Sequence, residues 1–197
     1  MSAESEPPPR TAAPDEDASY DRPALIVIVA LVAVLAKVAI ASLTLGANDV
    51  IAFYQFAKAL ESHGLTWSYE HSILFNHPPL VGYLLQGLAW LDRQPFCQEN
   101  GITFPLLLRL PGIAADFGVV LLVLSIARAY PYLRPPKWAL LLFAASPVSL
   151  MITGFHGNTD PIMVLFLVLA SIMAARGRPL LCGFFRSSRF YERPPRS

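Results

Sequence analysis

Three short polar segments in an otherwise apolar chain hold the residue types that acid–base chemistry needs. They are GAND at 46–49, FNHPP at 75–79 and GFHGNTDP at 154–161. A carboxylate can take a proton from a hydroxyl group, whereas imidazole and guanidinium groups can hold an anion such as a phosphate. From these segments and from one apolar run we single out the following candidates: Asp49, His77, Arg109, Asp116, His156, Asn158 and Asp160.

Most of these candidates also have a purely structural interpretation. Asp49 is a natural helix N-cap, and His77 precedes two prolines as a turn residue would. The sequence NTDP at 158–161 is favourable for a tight turn. Arg109 lies near the beginning of its apolar run, where an arginine can extend its charge to the membrane surface. The chemical interpretation depends on these groups lying together at one side of a membrane.

Two charged residues lie deeper inside apolar runs. Asp116 comes seven residues after Arg109 on the same helical face, where a carboxylate is costly unless it is paired or functional. Lys37 is the one charge inside the first apolar run. Its side chain either extends to the membrane surface or turns toward partner helices.

The elements that must position these groups are membrane helices, because the composition excludes a soluble domain. Of the 197 residues, 54% are hydrophobic and only 15% are charged, against roughly 25% charged in soluble globular proteins. The net charge of +1 argues against a nucleic-acid-binding protein, which would carry a basic surface. Cys97 and Cys182 provide neither a disulfide framework nor metal-ligand spacing. We therefore expect an integral, multi-pass membrane protein.

The apolar runs predict an all-α membrane protein with about four transmembrane helices. At about 1.5 Å per residue the first run is long enough to cross a hydrocarbon core of about 30 Å. The run 78–91 is shorter, with Gln86 in its middle, and predicts a juxtamembrane or re-entrant helix. The predicted spans cover about residues 23–45, 104–128, 137–154 and 161–175.

The basic residues predict the orientation of these spans. If 78–91 does not cross, the connection 128–137, with its two arginines and one lysine, lies on the same side as both chain termini. The positive-inside rule then places this connection in the cytoplasm and the loop 46–103 outside. In that loop an apolar face at helical spacing predicts an amphipathic interfacial helix, with Asn48 or Asp49 as its N-cap and Gly64 as its end.

The chain therefore divides into a membrane module and two tails. Residues 1–21 are acidic and poor in large aliphatic residues, which predicts a disordered cytoplasmic tail. The membrane module covers 22–178. Residues 179–197 lose membrane character abruptly, and we expect a cytoplasmic tail created by truncation or a frame shift.

Four segments of the chain, in this order, resemble the GT-C superfamily of membrane glycosyltransferases, which use polyprenyl- or dolichyl-phosphate sugars. The resemblance covers roughly residues 23–175 and implies membrane helices with juxtamembrane helices in the first external loop. It implies that Asp49 is the catalytic base of an inverting transfer and that the HGNTDP connection lies near the site. The matching segments are GANDVIAFYQFAKALESHGL, FNHPPLVGYLLQGLA, LLRLPGIAADFGVVLLVLSIAR and ASPVSLMITGFHGNTDPIMVLFLVLA.

The resemblance also implies the ligands and partners of the chain. The donor would be a lipid-linked sugar, and the acceptor a glycan, a lipid or a protein, with membrane lipids around and no nucleic acid. Arg109 would be the phosphate partner, with the two imidazoles, Asn158, Asp160 and Asp116 as further substrate-binding groups. No cofactor and no metal ligands are assigned, because users of lipid monophosphates generally need no divalent metal and no acidic pair stands in the second loop. The oligosaccharyltransferase branch does use a divalent metal, so a metal remains an open alternative. The acidic Pro- and Ala-rich leader favours a bacterial inner membrane over an ER membrane.

Members of this superfamily commonly have many more spans, so two other hypotheses remain. One is a small transporter or channel subunit, in which Lys37, Arg109 and Asp116 line a polar path. The other is a fragment of a glycosyltransferase that has no activity alone.

Overall fold

The computed structural model describes residues 23–178, and every regular element in that part of the chain is a helix. This confirms the predicted all-α membrane fold. The expectations for the two tails lie outside the described residues. The helices are α1 (Ala24–Leu43), α2 (Asn48–His71), α3 (Pro79–Asp92), α4 (Pro95–Glu99), α5 (Phe104–Ala129), a 3-10 turn (Pro131–Leu133), α6 (Lys137–Ala144), α7 (Pro147–Ser149), a π-helix (Leu150–His156) and α8 (Asp160–Ala175).

Three helical stretches are long and apolar enough to cross a membrane. They are α1 with 20 residues, α5 with 26 residues and the stretch Lys137–His156 with 20 residues. Helix α8, where a fourth span is expected, is apolar but has only 16 residues. The shorter run at 78–91 forms α3 and is not among the three helices that could span.

The stretch Lys137–His156 is not one regular helix. Helix α6 ends at Ala144, shortly before Pro147, whose ring and missing N–H disfavour a continuous helix. The Ser146 hydroxyl accepts a hydrogen bond from the Ser149 backbone N–H at 3.4 Å and so caps the next turn. The chain then continues as a π-helix, a widened helix that often occurs at functional sites.

Helix α2 buries most of the apolar face that its sequence predicts. Val50, Phe53, Ala57 and Leu60 are buried, whereas Tyr54, which the helical spacing also places on this face, is 39% exposed. They pack with residues of α3 and the first turns of α5 in one apolar cluster. A second cluster joins α1, the later turns of α5 and α6. The loop helices are therefore fixed onto the bundle by α5.

The predicted N-cap of α2 is wrong, whereas Gly64 is a real break in the helix. The N-cap is Ala47, and no side chain caps the helix, so that Asn48 and Asp49 lie inside the first turn. A carboxylate in the first turn still interacts favourably with the helix dipole. Gly64, the predicted end of the helix, has a non-helical backbone with φ of +83° and ends the first helical stretch at a kink. A second stretch continues from there to His71.

Helices α1, α5, Lys137–His156 and α8 alternate in direction. The end of α1, the beginnings of α2, α5 and α8, and the end of the π-helix consequently meet at one end of the bundle. We call this end, with residues 44–49, 76–78, 104–109 and 155–160, the polar end.

Candidate functional site

Asp49 and His156 meet at the polar end. The Nε2 atom of His156 lies 2.7 Å from Oδ2 of Asp49, and the side chains are 44% and 58% exposed. Asp49 is carried by the first turn of α2, and His156 is the last residue of the π-helix. A solvent-accessible carboxylate that is held by an imidazole can take a proton from a bound hydroxyl group.

His77 lies beside this pair, half-buried among aromatic side chains. Its ring centroid is 5.0 Å from that of Phe53 and 5.7 Å from that of Phe75. Burial lowers the pKa of His77 below the ordinary value of 6.5, and the nearby carboxylates of Asp160 and Asp49 partly offset this effect. We therefore expect a neutral imidazole at pH 7, which can donate one hydrogen bond but supplies no positive charge.

Asn158 and Asp160 form the turn that the sequence predicts. The side-chain amide of Asn158 donates to Oδ2 of Asp160 at 2.8 Å, and its carbonyl oxygen accepts from the Asp160 backbone N–H at 3.1 Å. Asp160 is exposed and begins α8. Its charge lies close enough to His77 to affect the pKa of that imidazole. The turn therefore forms the boundary of the polar end next to the beginning of α8.

Arg109 lies underneath these groups and is only 1% exposed, so the interpretation in which it extends to the membrane surface is wrong. Its Nη1 donates to the backbone carbonyls of Ala41 and Thr44, both at 2.9 Å. These carbonyls belong to the end of α1, where a cation is favourable. The backbones of Gly46 and Gly157 cover the guanidinium and its stem.

Asp116 lies apart from the polar end and pairs with Lys37. The Lys37 Nζ is 2.7 Å from Oδ2 of Asp116, and the two side chains are 4% and 17% exposed. The hydroxyls of Ser149 and Thr153 also donate to Oδ2, at 2.7 Å and 3.0 Å. Lys37 thus turns toward partner helices, and in this structure Asp116 is part of an interhelical polar network.

The polar path of the transporter hypothesis has little space at this network. The cavity beside Lys37 and Asp116 has a volume of about 10 Å³, which is room for about one water molecule. Arg109 contributes to neither the cavity nor the network. Within residues 23–178, no group of three or more His, Cys, Asp or Glu side chains is placed to hold a metal ion.

Sequence reasoning did not single out Ser149, Thr153 or Gly46. The two hydroxyl residues are four positions apart in an apolar run, and this spacing was a usable signal that they share a helical face. Gly46 comes directly after the first span, but nothing in the sequence indicates that an arginine 63 positions later would lie under it. That neighbour is determined by the packing of α5 against α1.

At the polar end the chain thus combines an accessible carboxylate, two imidazoles, a carboxylate-bearing turn and a buried guanidinium. This set is suited to proton abstraction beside an anionic group. Comparisons with family models, with curated proteins and with solved structures find no match to this chain.

Proposed function

We propose that the chain is a membrane glycosyltransferase module of the GT-C type, which moves a sugar from a polyprenyl-phosphate-linked donor to an acceptor hydroxyl at the polar end. The observation that supports this function best is the contact of Asp49 with His156, because it holds an accessible carboxylate directly at the end of three apolar helices. A lipid-linked donor or a lipid acceptor would reach such a site from the membrane, and a glycan or protein acceptor from the water.

In the proposed reaction Asp49 is the general base. Because His156 donates to Oδ2 of Asp49, Oδ1 remains for the acceptor hydroxyl. The acceptor proton moves to the carboxylate while the acceptor oxygen forms a bond to the anomeric carbon. The bond from that carbon to the phosphate oxygen breaks on the opposite side, so the product has inverted configuration and the lipid phosphate leaves.

The leaving phosphate needs hydrogen-bond donors and positive charge. In this proposal His77 supplies one neutral N–H and the Arg109 guanidinium supplies the positive charge. His156 lines the site and uses its Nε2–H to hold Asp49. Asn158 and Asp160 line the site through their turn, and the charge of Asp160 partly offsets the lowering of the His77 pKa by burial. Asp116 acts at a distance, as part of the network that holds the π-helix.

The sidedness that this function requires follows from the basic connection between α5 and α6. We propose that the polar end faces the periplasm of a bacterial inner membrane, or the ER lumen in a eukaryote, with the connection in the cytoplasm. Single cysteines at Ile73, which is 96% exposed, and at Tyr132, which is 80% exposed, would report the two sides once Cys97 and Cys182 are replaced by alanine.

We expect a membrane-impermeant maleimide to label Ile73→Cys in intact cells and Tyr132→Cys only after the cells are permeabilised. The matched pair controls for reactivity, since both positions are exposed. Labelling of Tyr132→Cys in intact cells, with Ile73→Cys protected, would contradict the proposed sidedness.

The function itself is tested by donor turnover. Membranes that contain the chain should release lipid phosphate from at least one of several polyprenyl-phosphate-linked hexoses, with the labelled sugar appearing on an acceptor. Membranes without the chain are the control. If no donor turns over faster than in the control, the proposed activity does not belong to this chain.

A further inference from the structure

Arg109 has the largest fully buried side chain in the described part of the molecule, and only some of its N–H groups have hydrogen-bond acceptors. Its Nη1 donates to the carbonyls of Ala41 and Thr44, but Nε and Nη2 are buried and have no hydrogen-bond acceptor. Among residues 23–178 the structure records no carboxylate paired with Arg109. A buried cation with unsatisfied donors is unfavourable by several kcal/mol.

The two unsatisfied donors define a particular kind of ligand. Nε and Nη2 lie along the same edge of the guanidinium and present two parallel N–H groups. This edge matches two oxygens of one carboxylate or phosphate in a bidentate contact. Nη1, on the other side, is used to hold the end of α1. Nη1 therefore fixes Arg109 to α1, and the Nε and Nη2 edge remains for a ligand.

The ligand edge is closed by backbone rather than by side chains. A Cβ atom on Gly46 would overlap Nη2 of Arg109, so only glycine allows the chain to lie this close. Gly46 has φ of +91°, a value that is unfavourable for every residue other than glycine. It belongs to the non-helical link 44–47 between α1 and α2. The Thr44 carbonyl accepts from Nη1 of Arg109 and the Ala47 carbonyl accepts from the Val50 backbone N–H. A movement that keeps both bonds is therefore confined to Leu45 and Gly46.

We propose that Arg109 is the receptor of a phosphate group and that Leu45 and Gly46, the middle of the link 44–47, are a lid over it, closed in the present structure. The phosphate displaces Gly46 from the guanidinium and binds the Nε and Nη2 edge. This inference deepens the proposed function, because the phosphate would be that of the lipid-linked donor. It also adds a conformational step that must precede transfer, since the lid is joined to Asp49 through Ala47 and Asn48.

The lid is tested by the reactivity of Arg109 toward phenylglyoxal, which modifies accessible guanidinium groups and is followed by peptide mass spectrometry. In the purified chain in detergent we expect Arg109 to react much more slowly than Arg176, an exposed arginine at the other end of the bundle. Gly46→Ala should accelerate the reaction of Arg109 about tenfold or more, because the added Cβ prevents the closed arrangement. Equal protection of Arg109 in both proteins would overturn the lid.

The receptor is tested by equilibrium binding of inorganic phosphate and of a prenyl monophosphate, at constant ionic strength with chloride. We expect Arg109→Met to weaken binding by about tenfold or more, since it removes a charge-assisted bidentate contact. Arg176→Gln, the matched control, should bind as the wild type does. Binding of the prenyl monophosphate alone identifies a lipid source for the phosphate, and binding of both probes identifies the phosphate group as the recognised part.

Wild-type affinity in Arg109→Met, or binding of neither probe to the wild type, would overturn the receptor. If Arg109→Met does not fold, protection of Arg109 from phenylglyoxal by either probe in the Gly46→Ala chain gives the same information. In that case, unchanged modification in the presence of both probes contradicts the site. These measurements need no sugar transfer, so phosphate binding without donor turnover would reject the proposed function and retain the receptor.

Discussion

Replacement of Lys37 by methionine is expected to lower the free energy of unfolding by about 3–5 kcal/mol, which is the usual effect of leaving one partner of a buried ion pair unpaired. The Asp116 carboxylate would lose the ammonium group that lies 2.7 Å away. Methionine fills a similar volume, so the loss of charge and not a cavity would cause the change. Reversible unfolding in mixed micelles, followed by tryptophan fluorescence, measures it.

Two variants separate the ion pair from a general intolerance to substitution. Lys58→Met removes an exposed lysine whose Nζ is 3.8 Å from Glu61, and it should change the stability little. The double variant Lys37→Met/Asp116→Leu removes both charges together and should recover much of the lost stability. A Lys37→Met chain as stable as the wild type would contradict the assignment of a charged pair.

The network matters for the candidate site because it holds the π-helix. Ser149 and Thr153 both donate to Asp116, and the backbone of Gly154 lies against that of Lys37. A Cβ atom on Gly154 would be 3.2 Å from the Lys37 Cα, so little space remains between the π-helix and α1. The network thus fixes the helix that carries His156 toward Asp49.

The parts of the fold that could be predicted are those with a local signal. Long apolar runs predict membrane spans because the hydrocarbon core contains no water. Apolar side chains are favourable there, and the backbone must form its hydrogen bonds within a helix. The apolar face of α2 follows from helical spacing, and its predicted residues are buried except for Tyr54. The break before Pro147 also has a local cause, but the π-helix after it depends on the contacts of Ser149, Thr153 and Gly154 with other helices.

The parts that could not be predicted depend on neighbours far apart in sequence. The sequence shows that Lys37 is a charge inside an apolar run. It does not show that its partner is Asp116, which lies 79 residues away. The polar end was expected from sidedness, and the contact of Asp49 with His156 agrees with that expectation. The burial of Arg109 was not expected, because helical spacing places a residue on a face and does not say which backbone covers it.

The N-cap of α2 illustrates how two favourable signals can compete. Asn48 and Asp49 are both good caps, but the helix begins one residue earlier, after Ala47. Val50 and Phe53 must be buried against α3 and α5, and this requirement determines the phase and start of the helix. Asp49 is thereby placed in the first turn with its carboxylate accessible, where it can contact His156 instead of its own backbone.

Replacement of Asp49 by asparagine is expected to lower the rate of sugar transfer by about 10²- to 10⁴-fold, the usual contribution of a general base. Asparagine keeps the shape of the side chain and can still accept a hydrogen bond from His156, so the contact at the polar end should persist. The amide cannot take the acceptor proton. The loss should therefore appear in kcat at saturating lipid-linked donor, with the affinity for the donor nearly unchanged.

Glu70→Gln is the matched control, because Glu70 is an exposed carboxylate in the second stretch of α2, beyond the kink at Gly64 and away from the first turn that carries Asp49. It should transfer sugar at the wild-type rate. His156→Gln should have a smaller effect than Asp49→Asn, since it removes the group that orients the base and leaves the base itself. Transfer by Asp49→Asn at the wild-type rate would show that Asp49 is not the base. The base would then have to be another carboxylate of the polar end. Asp160 is exposed and lies near His77, so it would be the next candidate.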